Sequence, residues 1–490
     1  MDHQPESCEP MLRESIKHFL AAYRSGSSDF SAFQSIFFRL IQTMPDPPLE
    51  MIWFYSAVTF HGAKATPDRD IPPNRTLVMA KDLFQQLISC NDSRNGLKRV
   101  ALLAPVVFLL YEVVKDSSDN ELCLRWEAED LLHKMVSYVQ MSCRDEFQSG
   151  NESDVPVACF EDLVRVWTID RVEESCVVEE NLKVFFPVWS GRTWDWFDGR
   201  YGIGRLAGIV LCEMFLLRLC LKIRLGDVRD ELQKDLQNCA IQTIKTFQNS
   251  YFLDMLLKML LQPTLPITNI LSSEDGVSLM RVLYDVLLLV DCSFLNSGRW
   301  IQLLDNQSRN LALTWSLVAD TAVQLARNSG DHNRALSYAN SFCKSQLSRQ
   351  LIKWLSSEVG VEEKCGSPIG NPGDIIRWIS ILEGKGLRGF DKSISKLLPK
   401  EAALKLGNAI FDEEMVDPSH GTDPATMINI EKSIDGSRKR KEGMGGAGEP
   451  RIKLVKYNLH DNVRYTKTFS SGVEIGSSVF DDDMEVTVGG

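Results

Sequence analysis

Apolar positions recur along most of this chain at helical spacing. Leu12, Ile16, Phe19, Leu20 and Tyr23 fall at i, i+4, i+7, i+8 and i+11, which places them on one face of a helix. Phe30, Phe33, Ile36, Phe37, Leu40, Ile41 and Met44 repeat the stripe. Ser28 or Asp29 is placed to cap that second helix, and Met44-Pro45-Asp46-Pro47-Pro48 to stop it. A third helix is predicted from Pro48 through Trp53 and Phe54, because proline suits a first helical turn. A fourth covers about 75–90 through Leu77, Ala80, Leu83, Phe84, Leu87 and Ile88, and the turn chemistry of Asn91–Gly96 ends it. Helices follow at about 97–115, 119–143 and 156–169, with Pro105 expected to kink the first of them.

The pattern changes over 170–202. Val177-Val178 and Val184–Trp189 read as short strands or extended loop, and Trp194–Gly202 is aromatic and rich in turn formers, so this stretch is expected to be a structured junction. Helical signal resumes at about 203–225, 227–261, 276–291, 300–328, 332–357, 372–384 and 391–409. The 227–261 stretch is either one helix or two broken near Asn249-Ser250. The 276–291 segment is apolar nearly all round its second half, as a helix in the middle of a core would be.

No fixed repeat period emerges, although helix starts recur at the spacing of paired-helix units. The chain therefore predicts an all-α protein, an irregular helical array that is either a HEAT- or armadillo-like solenoid or a multi-helix bundle. The organisation expected is an N-terminal helical region over 1–169, the aromatic junction over 170–202, a second helical region over 203–410 and a disordered tail over 411–490. The tail follows from composition. Residues 411–450 hold 14 charged residues, six glycines and three prolines, too little apolar surface to offset the entropy of ordering.

Charge narrows the function classes. The net charge is -12, and residues 411–490, with 15 acidic and 10 basic side chains, carry -5 of it, leaving -7 for the rest. Neither part has the basic balance that drives phosphate-backbone binding, so nucleic acid is expected as an indirect partner only, with a local basic groove left open as an alternative. The apolar runs Ala101–Val114 and Leu206–Leu221 are respectively too short and too interrupted, by Glu213 and Arg218, to span a bilayer. No membrane partner is expected, and both runs read as buried helices. The 12 cysteines are scattered without C-x-x-C spacing, which points to free thiols in an intracellular chain.

Candidate chemistry concentrates in the tail. Arg438-Lys439-Arg440-Lys441, followed beyond a glycine-rich spacer by Arg451, Lys453 and Lys456, has the composition that an import receptor's acidic groove binds, which predicts a nuclear localisation. Ile452, Leu454, Val455 and Tyr457, then Val463, Tyr465 and Phe469, alternate partly at period two. They form a candidate docking peptide that could add a strand to a partner. The extreme end, Phe480–Gly490, pairs acidic with apolar residues.

Gly202-Ile203-Gly204-Arg205-Leu206-Ala207-Gly208 has the look of a dinucleotide loop but lacks the preceding strand that such a loop needs. It is read instead as a turn leading into a helix packed closely through Gly208. No catalytic or metal-ligating constellation is apparent and no cofactor is expected. The role expected is a non-catalytic scaffold or adaptor subunit of a nuclear complex, in chromosome maintenance, DNA repair or transcriptional control. Two alternatives are a direct nucleic-acid binder and an enzyme with a helical site near 190–205, built on Asp195, Asp198 and Arg200.

Overall fold

A computed structural model gives the fold and describes residues 8–64, 72–90, 95–117, 121–144, 157–170, 182, 184–186, 202–225, 229–247, 249–261, 270–289, 306–359 and 371–398. The chain divides into two compact units, Met1–Val416 and Asp417–Gly490, and every described residue belongs to the first. All regular structure among the described residues is helical, with no β-strand. The helices are α1 (Glu9–Arg24), α2 (Ser31–Thr43), α3 (Leu49–Lys64), α4 (Pro73–Cys90), α5 (Gly96–Ala101), α6 (Ala104–Asp116), α7 (Leu122–Arg144) and α8 (Phe160–Trp167). After the junction come α9 (Ile203–Leu225), α10 (Arg229–Phe247), α11 (Ser250–Leu260), α12 (Ser273–Tyr284) with a π-turn (Asp285–Leu289) continuing it, α13 (Asn306–Asn328), α14 (His332–Lys344), α15 (Gln346–Val359), α16 (Pro372–Gly384) and α17 (Lys392–Ser395).

Local chemistry sets the boundaries. Proline at the second position of α6 forbids a continuous 97–115 helix, because the ring excludes the hydrogen bond and space of the preceding turn. The chain accordingly breaks at Leu102-Leu103 between α5 and α6, more sharply than a kink. Asn249 accepts from the Phe252 N–H and so starts α11, which settles the 227–261 stretch as two helices. The predicted 332–357 helix is also two. Ser345 is extended, and its hydroxyl accepts from the Ser348 N–H, so one residue stops α14 and caps α15. Asp29 accepts from the Ser31 N–H just ahead of α2. Within the junction, Leu182 and Phe186 close an i, i+4 backbone bond of 2.8 Å, a helical turn and not the extended chain expected there. Phe185 from that turn packs among Trp53, Phe108 and Trp167.

Among the described helices, α9, α3 and α6 are buried along most of their length. α9 has no exposed residue, and packs against α5, α6 and α7 from earlier in the chain and α10 and α11 from later. Its all-round apolar sequence leaves no polar face to present to water. α3 is buried almost continuously from Leu49 to His61, with α2, α4, α6 and α8 against it. The two apolar runs noted in the sequence are thus α6 with its approach and α9, both buried. No helix of the described residues is long and apolar enough to cross a membrane. The 276–291 segment enters the core only from Leu279 onward, since Val277 is 62% exposed.

Gly208 performs the role expected of it. A β-carbon there would lie 2.8 Å from the backbone carbon and oxygen of Tyr251, and one on Gly204 would lie 2.5 Å from the Tyr251 ring, so α11 crosses α9 at a place only glycine permits. Charged side chains tie the outer layer to α9. Glu129 of α7 faces Arg218 at 3.6 Å and Lys222 at 3.3 Å, and Arg224 donates to the Val114 carbonyl at 2.6 Å, satisfying the C-terminal end of α6.

Candidate functional site

The residues singled out in the tail, Arg438 to Lys456 and Ile452 to Phe469, lie outside the described residues, as do Asp195, Asp198 and Arg200 of the junction. Glu213, the remaining acidic neighbour of that junction, is buried inside α9. Among the cysteines, Cys159, Cys212, Cys220 and Cys239 are buried free thiols and Cys123 is an exposed one. Burial pushes the Cys159 thiol up to about 11 and keeps it protonated and unreactive at neutral pH. Among the described residues no group of three or more His, Cys, Asp and Glu side chains converges to hold a metal ion.

Three polar arrangements that no sequence pattern announces stand out. The first joins α1, α3 and the end of α8. The Tyr23 hydroxyl donates to Asp170 Oδ1, and Lys64 Nζ lies 3.3 Å from Asp170 Oδ2, so both carboxylate oxygens are engaged. Behind them His61 is fully buried, with Nε2 2.7 Å from the Val166 carbonyl oxygen. A carbonyl can only accept, so Nε2 carries the proton and Nδ1 is bare. Nδ1 has no hydrogen-bond partner among the described residues. Tyr23 packs edge-on to the imidazole at 5.1 Å, and Phe19 and Phe60 pack against it at 5.8 and 5.1 Å. Burial in this aromatic setting pushes His61 down from 6.5 to about 4, against the opposing pull of the Val166 carbonyl and Asp170. Burial alone would raise the Asp170 carboxyl, but the Tyr23 hydroxyl and Lys64 ammonium together hold it below the usual carboxylate range. Lys64 also stands over the Phe60 ring at 4.6 Å.

The second is a groove of about 340 Å³ with α3 as its floor, through Tyr55, Thr59 and Phe60, and with Gln34 of α2 and Arg75, Val78 and Asp82 of α4 among its walls. Its polar side chains are loosely engaged. Gln34 Nε2 donates to Thr59 Oγ1 at 3.4 Å and the Tyr55 hydroxyl to Gln86 Oε1 at 3.4 Å, both long for hydrogen bonds. The Ser56 and Thr59 hydroxyls donate to the Ile52 and Tyr55 carbonyls of their own helix, which commits the proton that a nucleophile would have to release. Polar side chains such as Gln34, Thr59 and Asp82 alternate in the lining with apolar ones such as Phe60, Val78 and Leu83, as in a small recognition pocket.

The third fastens the second half. Asp285, at the start of the π-turn, is buried and accepts from the Tyr338 hydroxyl at 2.7 Å, from Arg334 at 3.1 Å and from Gln237 at 3.4 Å. These bonds join α10, the π-turn and α14. The surface adds one further feature, since Trp126 and Leu122 stand one helical turn apart on α7 and are 58% and 53% exposed.

Comparison of the chain with protein-family models, with curated proteins and with solved structures finds no match.

Proposed function

We propose that this chain is a non-catalytic scaffold subunit of a nuclear protein complex, its helices forming an irregular array whose surfaces hold other proteins, with chromosome maintenance, DNA repair or transcriptional control as its setting. The observation that carries the reading is the basic cluster Arg438–Lys441, set in a polar segment and echoed by Arg451, Lys453 and Lys456, in the composition that import receptors bind. Two surface features support it. The α2–α3–α4 groove offers a pocket of mixed polar and apolar lining, and the Leu122–Trp126 step on α7 offers the exposed tryptophan that so often anchors protein interfaces. The peptides Ile452–Tyr457 and Val463–Phe469 supply further docking segments by strand addition.

The test is affinity purification of the tagged full-length chain from its own cells. Stoichiometric recovery with a defined set of nuclear proteins is the expected result, and recovery as a lone monomer would count against the scaffold. A fluorescent fusion in which Lys439, Arg440 and Lys441 are changed to Ala should lose nuclear enrichment, and unchanged localisation would remove the main support for a nuclear role. Binding to bare nucleic acid that weakens steeply with salt would favour direct nucleic-acid recognition instead.

A further inference from the structure

The N-terminal helix is only shallowly embedded for its length. α1 buries only Leu12, Ile16 and Phe19, while Met11, Arg13, Glu14, Lys17, His18 and Ala21 are exposed. Among the described elements, α8 is the one it packs against extensively. Its ion pairs, Arg13 with Glu9 and Asp162, are solvent-exposed and so contribute little. At its far end the chain leaves through a glycine-formed stop. Gly26 has φ +81°, its N–H bonds to the Tyr23 carbonyl, and the Ser27 N–H bonds to the Ala22 carbonyl. That turn gives α1 a defined end next to a residue with unusual backbone freedom.

What secures this end is Asp170. Its two oxygens reach the Tyr23 hydroxyl on α1 and the Lys64 ammonium on α3, and it lies 147 residues from Tyr23 in the chain. We propose that α1 is a strap that lifts from the body as a unit, latched at its C-terminal end by the Asp170 carboxylate. Lifting removes Tyr23 and Phe19 from the faces of His61 and uncovers Phe30, Phe33 and Phe54, the rings that Phe19 touches. The strap is thus the cover of an aromatic surface on α2 and α3. The charged and titratable groups around His61 in the closed state are Tyr23 from α1, Lys64 from α3 and Asp170 beyond α8.

Hydrogen exchange followed by mass spectrometry on the full chain tests this. In the unmodified protein, peptides spanning 9–24 should lose protection at urea concentrations that leave 203–225, the core helix, fully protected. If both segments lose protection together, α1 is an integral part of the core and the strap does not exist. In Asp170→Ala, exchange of 9–24 should rise about threefold to tenfold, the change expected from losing a charge-assisted hydrogen bond partly screened by solvent, with 203–225 unmoved. Tyr23→Phe should act in the same direction. An Asp170→Ala protein whose 9–24 peptides exchange at the original rate would overturn the latch.

Discussion

Alanine substitution at Gly208 turns a close helix–helix contact of this fold into a quantitative test. A β-carbon at 208 would meet the Tyr251 backbone carbon and oxygen at 2.8 Å and the Tyr251 β-carbon at 3.0 Å. The obstructing atoms are main chain of α11, which cannot rotate away as the end of a side chain could. Relief requires α11 to move off α9 by several tenths of an ångström along a buried interface, and forced overpacking of this kind costs about 1–3 kcal/mol. A rigid neighbour places Gly208→Ala in the upper part of that range, at roughly 2–3 kcal/mol. Alanine's better helix propensity returns about 1 kcal/mol, so the net loss should be about 1–2 kcal/mol.

Gly276 is the matched control. It sits inside α12, where an added methyl group would find nothing within 4 Å, so Gly276→Ala should stabilise by about 0.5–1 kcal/mol. The assay is urea unfolding of the three proteins, read by far-ultraviolet circular dichroism, with midpoints compared at equal slope. One chemical change should thus act with opposite signs at the two positions. If both variants shift in the same direction, the close α9–α11 crossing is not a determinant of stability.

His61 predicts a specific acid sensitivity. A base whose folded pKa lies below its unfolded value binds fewer protons when folded, so its contribution is fully present above 6.5 and is lost as pH falls toward about 4. The span corresponds to roughly 3 kcal/mol, and the stability difference between the original protein and His61→Phe should shrink by about that amount over the window; a difference independent of pH would refute the assignment. At the π-turn, Asp285→Ala takes this acceptor from the buried Tyr338 hydroxyl and from Arg334, which is partly exposed and keeps Asp331 as a partner, for an expected loss of about 1–3 kcal/mol. Tyr338→Phe removes one bond and should lose about 1.5–3 kcal/mol. Thermal unfolding of the two single variants and the double measures the coupling, and additive losses would show that the two side chains do not act together.

Much of the fold is legible where one face of a helix decides burial. The stripe Leu12, Ile16, Phe19, Leu20 and Tyr23 holds the three buried side chains of α1 and two half-buried ones, and the apolar run Leu206–Leu221 was legible as a buried helix. Gly208 was readable as a close-packing position because no strand precedes it to make a phosphate loop. Boundaries governed by a single side-chain hydrogen bond were harder. Ser345 carries no sign, in an otherwise periodic stretch, that its hydroxyl will cap a new helix. Aromatic and valine content made Val184–Trp189 look extended, yet the i, i+4 turn at Leu182–Phe186 forms because Phe185 finds a place among Trp53, Phe108 and Trp167. The polar arrangements were invisible for a different reason. Tyr23 and Asp170 are 147 residues apart, and Asp285 and Tyr338 are 53 apart, so only tertiary packing brings them together. The tail's basic and alternating peptides were legible from composition alone and lie outside the described residues.

The position of α9 bears on how this chain is made. α5, α6 and α7 precede it by roughly 60–110 residues and pack on it as well as on one another and on α4, so during synthesis they leave the ribosome with one partner of their apolar faces still untranslated. At about 5–20 residues per second that interval lasts on the order of ten seconds, during which greasy helices wait in an aqueous cell. A chain interrupted before Leu225 would never complete that interior, which marks truncated products of this protein for aggregation or proteolysis and makes the arrival of α9 the commitment step of its biogenesis.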